Sequence, residues 1–182
     1  MIYQAIEFLI CTLSLKFSFM VYLAFVDISF LPPLNFYFII RFAGYKNKLL
    51  KLIFIPSILF TVYYFLVINK FKVTACTVLY AAYNYPMGIL YGFFYYLPVI
   101  AVIIFLIIEI KKQPDTIHKR LLKVLLSGLI IISLPVIAAF IFMAAGNNQL
   151  LKIIESVMCK FAFVYAVCLA YFTLLNKSAV NG

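Results

Sequence analysis

The chain has 182 residues, of which 68% are hydrophobic and 11% are charged, and its mean hydropathy is +1.16. A soluble domain is about half apolar and about one quarter charged, so this composition excludes a soluble globular protein. A formal net charge of +10 would suggest a nucleic-acid partner in a soluble chain. In a membrane chain the charge instead indicates how the protein is inserted, and we expect no nucleic-acid binding.

Five apolar runs have the roughly 20 residues that a helix needs to cross a bilayer. They cover residues 17–40, 49–68, 87–110, 121–145 and 153–175. A shorter apolar run, residues 2–15, precedes them and predicts a truncated or interfacial helix. The sequence therefore predicts an all-α polytopic transmembrane helical bundle, in which residues 1–182 form one membrane domain with about five full spans.

The basic residues predict the orientation, because cytoplasmic loops of membrane proteins are enriched in Lys and Arg. With the C-terminus in the cytoplasm, the inner segments 41–51, 111–123 and 176–182 hold ten of the fifteen basic residues. The outer segments hold the other five. We therefore expect a multi-pass protein of the cell (plasma or inner) membrane with a cytoplasmic C-terminus.

The region between the second and third spans, residues 69–86, is predicted to be an outer loop that lies along the membrane interface. Tyrosines crowd around this region, which is typical of an aromatic belt at the headgroup level. The alternative is a ligand pocket that opens to the outside. Its candidate lining residues are Tyr83, Tyr85, Tyr91 and Tyr95.

Asp27 lies about ten residues into the first span, near the bilayer centre. A carboxylate at that depth costs at least ~2.5 kcal/mol, so we expect it to be protonated, paired or in contact with a wet cavity. Lys160 of the last span is the candidate partner, although its long side chain can also extend outward to the interface. Asp27 and Lys160 are thus a candidate intramembrane polar site. Glu7 and Glu109 fall near span ends, where water is expected to reach them.

Prolines and glycines predict the packing of the spans. A proline frees a backbone carbonyl and can kink its helix, and membrane helices tolerate this where neighbours satisfy the freed group. The prolines within spans or at their margins are Pro32, Pro33, Pro56, Pro98 and Pro135. Gly88 and Gly92 have the GxxxG spacing that allows close helix packing in membranes.

The sequence indicates no catalytic, cofactor or metal site. It has no Gly-rich phosphate loop, no HExxH and no GxSxG motif, so we expect a protein that is not an enzyme. The only histidine, His118, is expected to be a solvated loop residue. The cysteines form no CxxC pair, which favours small buried side chains over a disulfide framework or a zinc site. They are Cys11, Cys76, Cys159 and Cys168.

Several short motifs follow one another along nearly the whole chain. They are Ile2-Tyr3-Gln4-Ala5-Ile6-Glu7, Phe30-Leu31-Pro32-Pro33, Arg41-Phe42-Ala43-Gly44-Tyr45, Leu52-Ile53-Phe54-Ile55-Pro56, Tyr91-Gly92 before Tyr95-Tyr96, His118-Lys119-Arg120 and Leu134-Pro135. In this order they resemble the N-terminal seven-helix (7TM) membrane region of bacterial sensor histidine kinases. Relative to that family, the first helix and most of the second are missing from this sequence, and no kinase or cyclase segment follows Leu175.

The resemblance implies a non-catalytic signal-input module, in which a stimulus shifts helix packing and the last helix passes the shift inward. Its expected partners are the lipid bilayer and either a separate signalling protein or a second copy of the chain; the resemblance names no ligand. A gene fragment, a split sensor and a decayed paralogue all fit. Two alternatives stay open. One is a small-molecule transporter or permease subunit, which the kinked spans and Asp27 also fit; the other is a structural subunit of a membrane complex.

Overall fold

The computed structural model describes residues 2–13, 17–76, 81–114, 116–144 and 154–181. The chain divides into two compact units, residues 1–101 and residues 102–182. The described residues are mostly helical, which confirms the all-α class. The single membrane domain expected from the sequence stays a prediction.

The first unit begins with three helices, α1 (Ile2–Cys11), α2 (Ser18–Ser29) and α3 (Leu31–Phe42). Residues 18–42 form one stretch of 25 residues that is long and apolar enough to cross a membrane. Pro32 and Pro33 interrupt it, because they lack the N–H groups that would bond the carbonyls of Ile28 and Ser29. The prolines occupy the first turn of α3 instead, where a missing N–H costs little. The sequence predicts that these prolines can kink the span, and in the structure one helix ends at Ser29 and the next begins at Leu31.

The chain turns sharply after α3. Gly44 has a φ of +91°, a left-handed conformation that glycine adopts without strain. A 3₁₀ helix follows, Lys48–Phe54, and it leads directly into α4 (Ile55–Leu66), with Pro56 in the first turn of α4. Residues 48–66 form the second stretch of membrane-crossing length. A second 3₁₀ helix, Ile68–Lys70, ends this part of the chain.

The predicted outer loop contains a β-hairpin. Its strands are β1 (Lys72–Cys76) and β2 (Ala81–Asn84), which pair antiparallel with Val73 opposite Tyr83 and Cys76 opposite Ala81. The register shifts between Val73 and Ala75. An isolated hairpin of two short strands is marginally stable, so this one depends on the contacts that it makes with the helices.

Three long helices complete the described chain. They are α5 (Gly88–Lys112), which crosses the unit boundary, and α6 (Thr116–Ala144) and α7 (Ile154–Asn181) of the second unit. Pro98 and Pro135 lie inside α5 and α6. Residues 88–112 and 116–138 are the third and fourth stretches of membrane-crossing length in the described chain. Four of the five predicted spans thus coincide with helical stretches long and apolar enough to cross a membrane, and the fifth falls on α7, a helix of 28 residues.

The exposed surface of the helices is apolar, as a membrane environment requires. Leu59 and Leu66 of α4 are 63% and 75% exposed, and Ile89 of α5 is 94% exposed. Soluble proteins rarely expose large contiguous apolar patches, whereas lipid tails cover such side chains without cost. The four long apolar helices and this surface indicate a membrane-embedded protein.

Candidate functional site

An aromatic cluster occupies the centre of the first unit. Phe25 of α2 is 1% exposed, and five aromatic rings surround it with centroid distances between 4.4 and 5.9 Å. They belong to Tyr64, Phe71, Tyr83, Tyr85 and Tyr91. Most of these pairs are edge-to-face, the arrangement that the charge distribution of aromatic rings favours. We call Phe25 and these five residues the aromatic cluster.

The aromatic cluster joins the hairpin to three helices. Tyr83 lies on β2, Tyr64 on α4 and Tyr91 on α5, while Phe25 belongs to α2. The hydroxyl of Tyr64 donates a hydrogen bond of 3.2 Å to the carbonyl of Pro86, which fixes the chain between β2 and α5. The hairpin is therefore held by packing against side chains of α2, α4 and α5.

Three of the four predicted pocket tyrosines belong to the aromatic cluster. Tyr95 lies beside it, with its ring centroid 5.7 Å from that of Tyr91. Tyr83 and Tyr91 are each 4% exposed, which differs from an aromatic belt, whose tyrosines contact lipid headgroups and water. These two side chains therefore serve as core residues of the first unit.

A small recess adjoins the aromatic cluster. It is lined by residues of α2, α4 and α5, namely Ser29, Pro56, Ser57, Phe60, Tyr91, Phe94 and Tyr95. Its volume of about 10 Å³ matches about one water molecule. Tyr91 and Tyr95 line the recess, whereas Tyr83 and Tyr85 pack into the aromatic cluster. The predicted ligand pocket of four tyrosines stays a prediction.

A hydroxyl group at this recess donates a hydrogen bond to a backbone carbonyl that a proline leaves without its helical donor. Pro33 offers no N–H to the carbonyl of Ser29, and the Ser57 hydroxyl donates a hydrogen bond of 2.7 Å to that carbonyl instead. The Ser29 hydroxyl lies 3.0 Å from the Tyr91 hydroxyl in a buried hydrogen bond. These bonds connect α2, α4 and α5 through polar groups. The sequence signal for the first bond is the position of Ser29 four residues before Pro33, which leaves its backbone carbonyl without a helical donor.

Asp27 is half-buried on α2, and it has a backbone partner. Its Oδ2 atom accepts a hydrogen bond of 3.0 Å from the N–H of Tyr3, in the first turn of α1. The first N–H groups of a helix have no partner within the helix, and they carry a partial positive charge. Lys160 is an exposed residue of α7 in the second unit. The Asp27–Lys160 pair stays a prediction.

Glu7 is 4% exposed, so the expectation that water reaches it is wrong. Tyr3, Glu7 and Ile10 are the buried residues of α1, and their spacing places them on one face of the helix. α1 lies against α2 with this face turned inward. Ten residues of helix span about 15 Å, half of a bilayer core of about 30 Å. The helix is therefore too short to cross the bilayer alone, and the choice between a truncated and an interfacial helix stays open.

Cys11 and Cys76 form a disulfide bond, with their Cα atoms 5.4 Å apart. The expectation that these cysteines are small reduced core residues is wrong. Sixty-five residues separate them in sequence, and only the contact between the ends of α1 and β1 brings them together. The bond covalently ties the hairpin to α1. Cys168 is a free thiol, and the side chain of Cys159 lies outside the described residues.

The close helix packing occurs at a different glycine from the predicted pair. A Cβ atom on Gly92 would meet only Tyr96, at 3.9 Å, and one on Gly88 would meet the Tyr85 ring at 3.1 Å. A Cβ atom on Gly128 of α6 would lie 2.7 Å from Cδ2 of Tyr165 on α7. Gly128 thus allows α6 and α7 to approach each other. In the described part of the chain, the GxxxG pair provides no comparable contact between helices.

Two further polar residues, His118 and Arg120, lie near the beginning of α6. His118 lies in the first turns of α6 and is half-buried, so the expectation of a loop residue is wrong. Within the described residues, no group of three or more His, Cys, Asp and Glu side chains could hold a metal ion. The Arg120 guanidinium donates a hydrogen bond of 3.2 Å to the Tyr171 hydroxyl, which links α6 to α7.

Comparison with known proteins gives no relative: no family model, no curated protein and no solved structure matches this chain. The likeness to 7TM sensory regions therefore depends on the short motifs in the sequence.

Proposed function

We propose that this chain is a non-catalytic sensory module of the cell (plasma or inner) membrane, which receives a signal at its hairpin. The aromatic cluster is the observation that supports this proposal. Tyr83 of the hairpin and Tyr85 beside it pack against Phe25, whose other neighbours include Tyr64 of α4 and Tyr91 of α5. A stimulus that displaces the hairpin changes the packing of three helices at once, because they share these contacts.

The disulfide bond supports an outer position for the hairpin. Disulfides form and persist in oxidising compartments and are rare in the cytosol, so Cys11 and Cys76 belong on the outer face. α5 then runs from the outer to the inner face and ends at Lys111 and Lys112. α6 returns outward and α7 leads inward, which puts the C-terminus in the cytoplasm. The excess of basic residues in segments 41–51 and 111–123 agrees with this orientation.

α5 is the element that carries the signal inward in this proposal. Tyr91 lies in its first turns, within the aromatic cluster, and the helix continues through Pro98 to Lys112. In this proposal, a shift at Tyr91 changes the packing of α5, and the helix passes the change towards Lys112. A separate signalling protein or a second copy of the chain receives the shift at the cytoplasmic face. No residue of the module acts in catalysis, and it uses no cofactor or metal.

Hydrogen–deuterium exchange in lipid nanodiscs tests the signal path. Tyr85→Ala removes the ring whose centroid lies 4.4 Å from that of Phe25, and we expect faster exchange in α2, α4 and the full length of α5. Phe93→Ala is the matched control, because Phe93 is 60% exposed on α5 and belongs to no contact of the aromatic cluster. Faster exchange confined to the hairpin in Tyr85→Ala would contradict the proposal.

Cysteine labelling in intact cells tests the orientation independently. Lys46 and Lys70 lie exposed at opposite ends of the stretch that contains α4. With Cys159 and Cys168 replaced by serine, a membrane-impermeant maleimide should label Lys70→Cys at once. It should label Lys46→Cys only after the cells are permeabilised. The reverse pattern would overturn the proposed topology.

The transporter and structural-subunit alternatives predict other observations. Uptake of a small molecule by proteoliposomes that contain only this chain would replace the sensory proposal with the transporter. The neighbouring genes give a quick indication: a kinase-like or response-regulator gene supports the sensor, and an ATPase gene supports the transporter. Loss of a larger membrane complex on deletion, without loss of any response, would support the structural subunit.

A further inference from the structure

The turn between α3 and α4 concentrates positive charge. We call residues 41–52 the basic turn. Its four basic side chains are all exposed, and they are Arg41, Lys46, Lys48 and Lys51. The sequence has no acidic residue between Asp27 and Glu109, so no carboxylate of the surrounding sequence balances this charge.

The basic turn has a defined backbone. The N–H of Gly44 bonds the Arg41 carbonyl at 3.1 Å and the N–H of Tyr45 bonds the Ile40 carbonyl at 3.2 Å, which is the Schellman arrangement that ends a helix. Asn47 Oδ1 then accepts a hydrogen bond of 2.9 Å from the N–H of Leu49. These bonds end α3 and begin the 3₁₀ helix at fixed positions.

Aromatic contacts hold the 3₁₀ helix against α3. The ring centroids of Tyr37 and Phe54 are 6.1 Å apart, in an edge-to-face arrangement. The Arg41 guanidinium lies over the Tyr37 ring, 5.9 Å from its centroid, which is a favourable cation–π distance. These contacts therefore fix the position of the backbone that carries the basic side chains of the turn.

The 3₁₀ helix separates charged from apolar side chains. Residues three apart align along a 3₁₀ helix, so Lys48 and Lys51 form one row and Leu49 and Leu52 form the next. Both rows are exposed, and Leu49 and Leu52 are 65% and 55% exposed. Such a segment, basic on one side and apolar on the other, is typical of protein that lies in the headgroup region of a membrane.

The neighbouring helices place the basic turn at headgroup depth. Large apolar side chains are exposed along both helices that lead away from it, Leu34 and Phe38 on α3 and Leu59 and Val62 on α4. Lipid tails cover these side chains in a membrane. The turn that joins the two helices therefore lies where the hydrocarbon ends and the headgroups begin.

We propose that the basic turn binds anionic phospholipids, with its lysines against the headgroup phosphates and Leu49 and Leu52 in the acyl region. Basic clusters next to membrane spans attract anionic lipids electrostatically. The positive charge of the turn is opposite in sign to that of a lipid phosphodiester. This binding requires only that the chain lies in a membrane. It is independent of whether the hairpin receives a signal.

A single tryptophan can report which lipid surrounds the turn, because the native chain has none. Leu49→Trp is prepared in nanodiscs of equal parts phosphatidylglycerol and phosphatidylcholine, with bromine on the acyl chains of one lipid at a time. We expect brominated phosphatidylglycerol to quench as though it were enriched about fivefold over phosphatidylcholine around the tryptophan. The preference should fall as salt rises, because ions screen exposed charges.

Two matched pairs of substitutions and a second reporter complete the test. Lys48→Gln with Lys51→Gln should remove the preference at Leu49→Trp, whereas Lys70→Gln with Lys72→Gln, at the other end of α4, should leave it unchanged. Leu59→Trp, exposed on α4, should show equal quenching by both lipids. Equal quenching at Leu49→Trp, a preference that survives the loss of Lys48 and Lys51, or the same preference at Leu59→Trp would each overturn the proposal.

Discussion

The carboxylate of Asp27 holds the beginning of α1, through a hydrogen bond of 3.0 Å from the N–H of Tyr3. An acid near the middle of a membrane span needs a compensating group, and here a helix N-terminus supplies one. The partner is a backbone N–H group, so a search of the sequence for a charged side chain that pairs with Asp27 could not identify it. The bond fixes the position of α1 along α2.

We expect Asp27→Ala to destabilise the protein by about 1 kcal/mol, the usual cost of losing a side-chain acceptor at a helix N-terminus. Asp27→Asn keeps an acceptor oxygen and loses only the charge, so its cost should be about half as large. Denaturant unfolding in micelles, followed by circular dichroism, measures both. Equal stability of Asp27→Ala and the native protein would show that the bond contributes nothing.

The predicted pair of Asp27 and Lys160 is tested by a double-mutant cycle. If the two side chains interact, the effects of Asp27→Asn and Lys160→Met on unfolding will not add in the double variant. The coupling should be at least about 0.5 kcal/mol, the smallest that contacting residues usually show. Additive effects would rule the pair out and leave the N–H of Tyr3 as the described partner of Asp27.

Removal of the disulfide bond should lower stability by about 2–4 kcal/mol, since the bond closes a long loop and restricts the unfolded chain. The variant is Cys11→Ser with Cys76→Ser, and Cys168→Ser is the control, because Cys168 is a free thiol. Unfolding with and without a reductant gives the difference. The native protein should also migrate faster on a non-reducing gel than after reduction. Identical mobility would mean that the bond does not form.

Ser57→Ala should cost about 1–3 kcal/mol, because it leaves the carbonyl of Ser29 without the hydroxyl that donates to it at 2.7 Å. Ser127→Ala removes a hydroxyl that donates to a carbonyl of its own helix on an exposed face of α6, and its cost should be close to zero. Unfolding midpoints of the two variants provide the comparison. Equal costs would mean that the hydrogen bond from Ser57 of α4 does not stabilise the break between α2 and α3.

Gly128→Ala should destabilise the contact between α6 and α7 by about 1–3 kcal/mol. The added methyl would lie 2.7 Å from Tyr165 and 3.0 Å from the Cβ of Cys168, so the helices must move apart. Gly92→Ala is the control, because its nearest described neighbour is 3.9 Å away. This control should stabilise α5 slightly, since alanine favours helix. Tolerance of Gly128→Ala would show that the two helices pack loosely.

Hydropathy predicts the helices of this protein well, because lipid sets both their length and their composition. The run from residue 17 to residue 40 and its break at Pro32 follow from these local rules. The disulfide could not be predicted, because its cysteines lie 65 residues apart. The burial of Glu7 and the role of Gly128 also depend on which helices pack against each other. No local feature of a single sequence predicts those helix pairs.

The disulfide bond also imposes an order on biosynthesis. Synthesis runs from the N-terminus, so Cys11 is made before the two membrane-length stretches, residues 18–42 and 48–66, that separate it from Cys76. In the proposed topology, the first stretch carries the chain from the outer face to the inner face, and the second returns it to the outer face. A chain that fails one of these crossings leaves the two thiols on opposite faces. The Cys11–Cys76 bond can then form only in copies of the protein in which both crossings have succeeded. The bond thus distinguishes correctly inserted chains from incorrectly inserted ones.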